Sequence, residues 1–343
     1  MTLPLRRESF LFMLKRILIY MAVLNLFLYS GSACSQVTEN DPLVLGTFKI
    51  TKVVDGDTFK FENLDGSSRL LGIDTEETFK TDDAAKKTDE ISANWEEYYK
   101  FEKGDNKMPV KTNSPLGYEA MIWAQEYLKD VENARLELED ENRSLDIFGR
   151  HLVYMFIQKD GKEVNYNVES VRQGYSPYFN KYGNSKKYHS EFLEAQNYAR
   201  ENKLGIWDPA KKHYPDYEER IEWWNKRAEQ LESFEKKYAE NEIYFNLSDE
   251  SDFKRLSENV GKEIIVFGNI SDILTKKFPY LLRIPRTKEE TFELVVFEDN
   301  ANLLTEMDID SKKEYYTYIK GTLGVYKGKY QIELKTSDQI WIE

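Results

Sequence analysis

VVDGDTFKFENLDGSSRLLGIDTEE, residues Val53–Glu77, decides how the chain is read. It carries two Asp-Gly pairs, Asp55-Gly56 and Asp65-Gly66, between runs that alternate polar and apolar residues. Asp-Gly between alternating runs is the strongest short-range signal for a hairpin. With the residues in front of it, the stretch predicts a meander of three strands over Phe48–Val54, Thr58–Glu62 and Arg69–Ile73. If Asp65 and Gly66 are the central residues of a tight turn, Asp57 falls opposite Asp74, with β-carbons about 4.5–5.5 Å apart. Carboxylates that close repel unless something positive lies between them. Asp55 and Glu77 bring two more acids to the same end of the sheet. Oxygen donors without His or Cys suit a hard cation, calcium before zinc. The plainer reading makes each Asp a turn end that bonds its own backbone. Strict alternation also places Arg69 and Asp74 on opposite faces, so a bulge or strong curl is expected between them.

Downstream, Phe79–Asn113 is charge-rich with little regular pattern; Ile91, Trp95 and Tyr98 at helical spacing suggest a turn or two of helix. An excursion of this length is usually functional or disordered. A helix is predicted over Leu116–Lys129, strands over Ala134–Glu139 and His151–Gln158, and a short helix through Val164, Val168 and Val171 ending at Gly174. Tyr188, Phe192, Ala195 and Ala199 mark another helix. From Pro215 to Tyr238 apolar residues recur at three- and four-residue steps through a charged background, a long amphipathic helix that needs a partner face. It reads as a packing element able to sit independently of the nearby acids. Beyond Lys262 short strands dominate, with a helical piece around Leu303.

The formal net charge of the 343 residues is -13, the wrong sign for holding nucleic acid by bulk electrostatics. Any such ligand requires a local basic cleft and metal ions. The single cysteine, Cys34, excludes an intramolecular disulfide. Lys15 and Arg16, the apolar run Ile17–Tyr29 and the small residues Ser30–Ala33 describe a secretory signal. The stretch resembles a bacterial lipoprotein signal, which implies a lipid on Cys34 and a membrane anchor at the cell envelope; ordinary cleavage after Ala33 gives a secreted protein instead. His151, His189 and His213 share no metal-ligand spacing.

The stretch Val53–Glu77 resembles the signature region of staphylococcal-nuclease-type proteins. DIFGR (Asp146–Arg150), VRQG (Val171–Gly174) and KLGIW (Lys203–Trp207) follow in that family's order, so the resemblance covers about Phe48–Trp207. It implies a five-stranded barrel with packed helices that hydrolyses DNA and RNA with calcium, leaving 3′-phosphates. By the same resemblance Asp57 and Asp74 bind the metal through carboxylates and Thr75 through its carbonyl. Glu77 then orients or deprotonates the attacking water, Arg69 and Arg150 hold the phosphate, and Tyr182 lines the substrate cleft. Where the family has Pro between Thr and Glu, this chain has Glu76, so a differently shaped loop is expected.

GKEIIVFGNISDI (Gly261–Ile273) and YKGKYQIELKTSDQIWI (Tyr326–Ile342) look like the first and last strands of a bacterial oligonucleotide-binding-type barrel. Such barrels stack bases on aromatics above a basic groove. Phe278, Tyr280, Tyr326 and Tyr330 are the candidate platforms, with Lys276, Lys277, Arg283 and Arg286 for phosphates; a purely structural barrel is the alternative. The expected protein is α+β: signal peptide 1–33, tether 34–46, nuclease-like domain 47–209, helical linker 210–243 and a small OB-fold-like barrel 244–343. The rival reading is a catalytically weak surface protein that binds nucleic acid or a protein partner through the two barrels.

Overall fold

A strand that lines a barrel buries alternate side chains, and three runs here do so around one core. Val44–Val53 (β1) pairs with Thr58–Phe61 (β2), which pairs with Ser68–Leu70 (β3). Asn133–Glu137 (β4) flanks β1 on its other side, and His151–Lys159 (β5) joins β4 to β3, running parallel to β3. The ladder thus returns to its start, giving a closed five-stranded barrel filled by Phe59, Leu70, Ile73, Leu136, Val153 and Met155. Lys162–Asn165 (β6) adds a hairpin partner to β5. The structure, a computed structural model, describes residues 42–343. The predicted signal, Cys34 and residues 35–41 of the predicted tether lie outside the described residues; β1 begins at Val44, inside that tether.

The hairpin between β2 and β3 differs from the expected one. Thr58 pairs with Arg69 and Phe59 with Ser68, so Glu62–Ser67 form the turn in place of Asp65-Gly66 alone. Asn63 and Gly66 supply its positive φ angles, 60° and 77°. Asp57 therefore stands opposite Leu70, whose amide donates to the Asp57 carbonyl at 2.9 Å, and not opposite Asp74. No bulge is needed downstream either. β3 stops at Leu70, and Gly72, at φ 72°, turns the chain out of the sheet and back towards Arg69. A Cβ on Gly72 would lie 2.4 Å from the Phe192 ring, so glycine is required there twice over.

The charge-rich excursion is a folded layer. Ala84–Ala93 (α1) and Trp95–Lys103 (α2) bury Trp95 and Tyr99 against Leu116, Ile206, Tyr214 and Tyr217. Pro115–Tyr127 (α3) starts with Pro at its first position and Ser114 as cap, the Ser114 hydroxyl accepting from Gly117 N at 2.8 Å. Tyr166–Arg172 (α4) and His189–Glu201 (α5) complete the helices of the barrel.

Tyr217–Tyr238 (α6) is the long predicted helix. Its buried stripe includes two arginines, Arg220 and Arg227, beside Trp224, Ala228, Leu231 and Phe234. Tyr217 belongs to the core under α2, whereas Leu231 and Phe234 pack on Ile265, Phe267, Tyr316 and Tyr318 of the second sheet. The helix is shared by two cores, which corrects the expectation of an independent linker.

The second sheet has eight strands. They are Tyr244–Asn246 (β7), Glu263–Gly268 (β8), Asp272–Leu274 (β9), Tyr280–Pro285 (β10), Thr291–Val296 (β11), Thr317–Tyr326 (β12), Lys329–Glu333 (β13) and Ile340–Trp341 (β14). They run in the order β7-β8-β12-β13-β11-β10-β9, with β14 on β12, around a core of Val266, Leu282, Phe292, Leu294, Ile319 and Ile332. Among the described residues no helix is long and apolar enough to cross a membrane.

Candidate active site

Asp55, Asp57 and Asp74 meet at one end of the first barrel, all buried. Arg69, reaching out of β3, divides its guanidinium between them: Nη1 bonds Asp57 Oδ1 and Nη2 bonds Asp74 Oδ1. Nη2 also lies 3.3 Å from the Ile73 carbonyl. The positive group that two adjacent carboxylates demand is thus supplied by the chain itself. Asp57 Oδ2 accepts from the Thr75 amide at 2.8 Å and the Thr75 hydroxyl at 3.1 Å, and Oδ1 accepts from Thr58 Oγ1 at 3.0 Å. Asp74 is held by its own amide, which donates to Ser176 Oγ at 2.8 Å.

The three acids are not equivalent. Burial works to raise all of them, but Asp74 has Lys111 and Arg69 beside it and Asp55 has Lys80 at 2.9 Å, and these cations hold both below the usual carboxylate range. Asp57 has no lysine of its own; burial, with Asp55 and Asp74 adding to it against Arg69, pushes it up. The cluster as it stands carries more negative charge than Arg69 neutralises alone.

Glu77 projects from the same loop, its side chain 37% exposed, with Lys80 Nζ 3.9 Å away. It is the one acid of the four open to solvent. Its backbone is fixed on both sides: Ser114 N donates to the Glu77 carbonyl at 3.0 Å, and Glu77 N donates to Tyr214 Oη at 3.4 Å. Gly117 allows this approach, since a Cβ there would lie 2.1 Å from the Glu77 carbonyl oxygen.

Arg150 precedes β5, two residues from Leu152, the ladder partner of Arg69. Asp146 accepts from the amides of Phe148 at 2.8 Å and Arg150 at 2.9 Å, and from Arg150 Nε at 2.7 Å. The Arg150 guanidinium also faces the Phe148 ring, its carbon 5.4 Å from the ring centroid. Its ion-pair partner among the described residues is Asp146, and not Asp57, Asp74 or Glu77. Tyr182 is 52% exposed and stands edge-on to Phe179, ring centroids 5.7 Å apart.

Sequence reasoning missed four contributors. Glu76, noted only as a departure, is 2% exposed and accepts from the Ser114 hydroxyl, the Tyr214 amide at 2.6 Å and the Tyr217 hydroxyl at 2.9 Å. Burial pushes it up to about 7 against those three donors. Tyr214 and Tyr217 lie beyond every motif, at the entrance to α6, and Lys111 lies in the stretch read as patternless. Nothing in their local pattern marks them, because each acts through a contact far away in the chain.

The donors suit a hard cation. Two carboxylates converge, and the Arg69 guanidinium already fills the space between them as a stand-in cation. Among the described residues no three His, Cys, Asp or Glu side chains form a metal cage. Two carboxylates leave the remainder of a calcium shell to other oxygens, water and substrate, which such ions accept.

The second sheet offers less than its sequence suggested. Tyr330 packs into the core against Phe253, Arg283 pairs with Glu293, and Arg286 pairs with Glu250 and Glu290. Phe278 and Tyr280 stack on each other, centroids 4.1 Å apart, at the Val296 end of β11. Tyr326 pairs with Lys329 at the opposite end of β13. The expected aromatics and cations do not line one groove.

Residues 67–209 match the family described as staphylococcal nuclease homologue. The chain is 32% identical over 166 residues to an uncharacterized protein of Methanocaldococcus jannaschii, covering 47% of this chain and 70% of that protein. It is 27% identical over 164 residues to the thermonuclease of Staphylococcus hyicus, covering 47% of this chain and 75% of that one.

Proposed function

Because the chain belongs to the staphylococcal nuclease homologue family, we propose that it is a calcium-dependent nuclease cleaving phosphodiesters of DNA, RNA or both, with 3′-phosphate products. The observation that carries this reading is the Asp57–Arg69–Asp74 bridge beside the half-exposed carboxylate of Glu77. An arginine spent only on neutralising two buried acids would be matched by a closed site, and this one opens at Glu77.

Asp57, Asp74 and the Thr75 carbonyl are the proposed ligands. When bound there, calcium polarises a phosphate oxygen and stabilises charge that develops in the transition state. Arg69, whose guanidinium here bridges Asp57 and Asp74, has the planar fork that fits equatorial phosphate oxygens bidentately. Arg150 supplies a second fork, held at Nε by Asp146. Glu77 takes the proton of the attacking water, a role that needs the solvent access it has and Asp57 and Asp74 lack. Thr75 orients Asp57 through two hydrogen bonds. Export to the envelope with a lipid on Cys34, or simple secretion, belongs to the same proposal and rests on the sequence of residues 1–34 alone.

End-group analysis of the products tests the reading. Oligonucleotides cut to fragments with 3′-phosphate and 5′-hydroxyl ends support it; fragments with 5′-phosphate ends contradict the assigned chemistry.

A further inference from the structure

The loop between α4 and α5 that carries Tyr182 is laid along α6 and held there residue by residue. Phe179 donates its amide to the Gly72 carbonyl at 2.9 Å, in the turn that brings the chain back towards Arg69. Its ring meets Trp224 of α6 edge-on, centroids 4.7 Å apart. Asn180 is buried and donates Nδ2 to Asn225 Oδ1 at 2.9 Å. The Lys181 carbonyl accepts from Arg227 Nε at 3.1 Å. Three consecutive residues thus lean on one helix, and the next is the exposed Tyr182.

Arg227 stands apart in this set because it is 1% exposed. A buried guanidinium costs more than an apolar side chain of its size unless its donors are matched, and here Nη2 has no hydrogen-bond partner among the described residues. Packing alone would be met by an apolar residue. The two bonds that Arg227 does make go to segments far apart in the sequence: Nε to the Lys181 carbonyl, and Nη1 to the Glu314 carbonyl at 3.0 Å, shortly before β12. The same guanidinium carbon lies 5.8 Å from the ring centroid of Tyr182 and 4.4 Å from that of Tyr316, a residue of the core that α6 shares with the second sheet. Gln230 fixes that end, donating Nε2 to the Tyr316 carbonyl at 3.2 Å and accepting from the Tyr316 amide at 3.1 Å. One charged group therefore joins the second sheet to the loop that carries Tyr182.

We propose that Arg227 and Asn225 are positioning residues for the substrate cleft: from α6 they fix residues 179–183, and with them the Tyr182 ring that the family resemblance places in the cleft. Because Arg227 also bonds the segment entering β12, the second sheet is a fixed support of the cleft. The inference rests on the nuclease reading and extends it past residue 209, where the family match ends.

Amide hydrogen exchange measures the hold without any turnover. Asn225→Ala, at an exposed position of α6, removes one bond to the loop. It is expected to speed exchange at Gly183, whose amide bonds the Asn180 carbonyl, about fivefold, the scale of one hydrogen bond, while Met155 in β5 keeps its rate. On single-stranded DNA, Arg227→Met is expected to raise KM about tenfold, the scale of one or two lost hydrogen bonds, with kcat moved much less. Arg227→Lys, which keeps the charge without the fork, is expected to recover part of the loss. In a protein that already carries Tyr182→Ala, the Arg227 change is expected to add little to KM, because residues acting as one unit are not additive. Asn225→Ala carries the same cycle should Arg227→Met not fold. Full additivity with Tyr182→Ala would make α6 a packing element only and overturns the proposal; so does an unchanged exchange rate at Gly183 in Asn225→Ala and Arg227→Lys. A wild-type protein that cleaves nothing would sink the nuclease reading, and the exchange rates then decide the hold on the loop by themselves.

Discussion

The carboxylate of Glu76, between the proposed calcium ligand Thr75 and the proposed base Glu77, accepts the hydroxyl of Tyr217, in the first turn of α6, at 2.9 Å. A residue outside the matched family segment thus fixes the loop that carries the chemistry. Tyr217→Phe removes one donor from a buried carboxylate and keeps the ring in its core. It is expected to cost about 1–3 kcal/mol of stability, the penalty of an unsatisfied buried group, and to lower kcat more than it raises KM. Urea unfolding and steady-state kinetics check both; an unchanged midpoint would remove the staple from the account.

Gly117→Ala places a Cβ against the Glu77 carbonyl, where the built atom lies 2.1 Å away. Neither α3 nor the loop can move without disturbing the Ser114 cap or the Glu76 bonds. Helix propensity alone would make this change favourable by about 1 kcal/mol, so a lower melting temperature together with lost cleavage identifies the close approach. A stabilised, fully active variant would contradict it.

Much of the first barrel is legible from residues 53–77 and the later motifs, because strands with one wet face announce themselves by alternation. The register was not legible. It depends on Asn63 adopting a left-handed backbone and lengthening the turn, and Asn permits this without demanding it. Asp57 and Asp74 do meet, but through the exit at Gly72 and not across a hairpin rung. α6 was legible as a helix, yet its place between two cores was not. The informative signal was present: Arg220 and Arg227 fall on its apolar stripe, where a charge needs carbonyls or rings from elsewhere in the fold. Glu76, Tyr214 and Tyr217 were invisible for the same reason, since the two contacts that join them link residues more than a hundred positions apart.

A protein ending at Asp208 loses Tyr214, whose hydroxyl ties Thr112 and Glu77, and Arg220, which donates to the Val110 carbonyl. It also exposes the core under α2. Such a truncation is expected to unfold at markedly lower temperature and to show little cleavage even of a dinucleotide. Calorimetry with an activity assay decides the point; full activity after truncation would restore the view of α6 as a separable linker.

Arg150→Lys keeps the charge and loses the fork. Turnover is expected to fall at least about a hundredfold, the scale of removing one preorganised donor, with substrate binding changed much less. Asp146→Asn, which weakens only the hold on Nε, is expected to cost less than that. Near-normal turnover in Arg150→Lys would make the residue a strand-end anchor instead.

Asp57 and Asp74 are proposed to hold a calcium ion without which the phosphodiester is not cut. The direct measurement is the rate of DNA cleavage by the wild-type protein in calcium, in magnesium and in excess chelator, beside Asp74→Asn in calcium. Cleavage is expected in calcium, little in magnesium, which is smaller, demands a near-ideal octahedron and gives up its waters reluctantly, and none in chelator. A loss of about a hundredfold or more is expected in Asp74→Asn. Cleavage in chelator at the calcium rate, with Asp74→Asn equally active, would contradict the proposed calcium site.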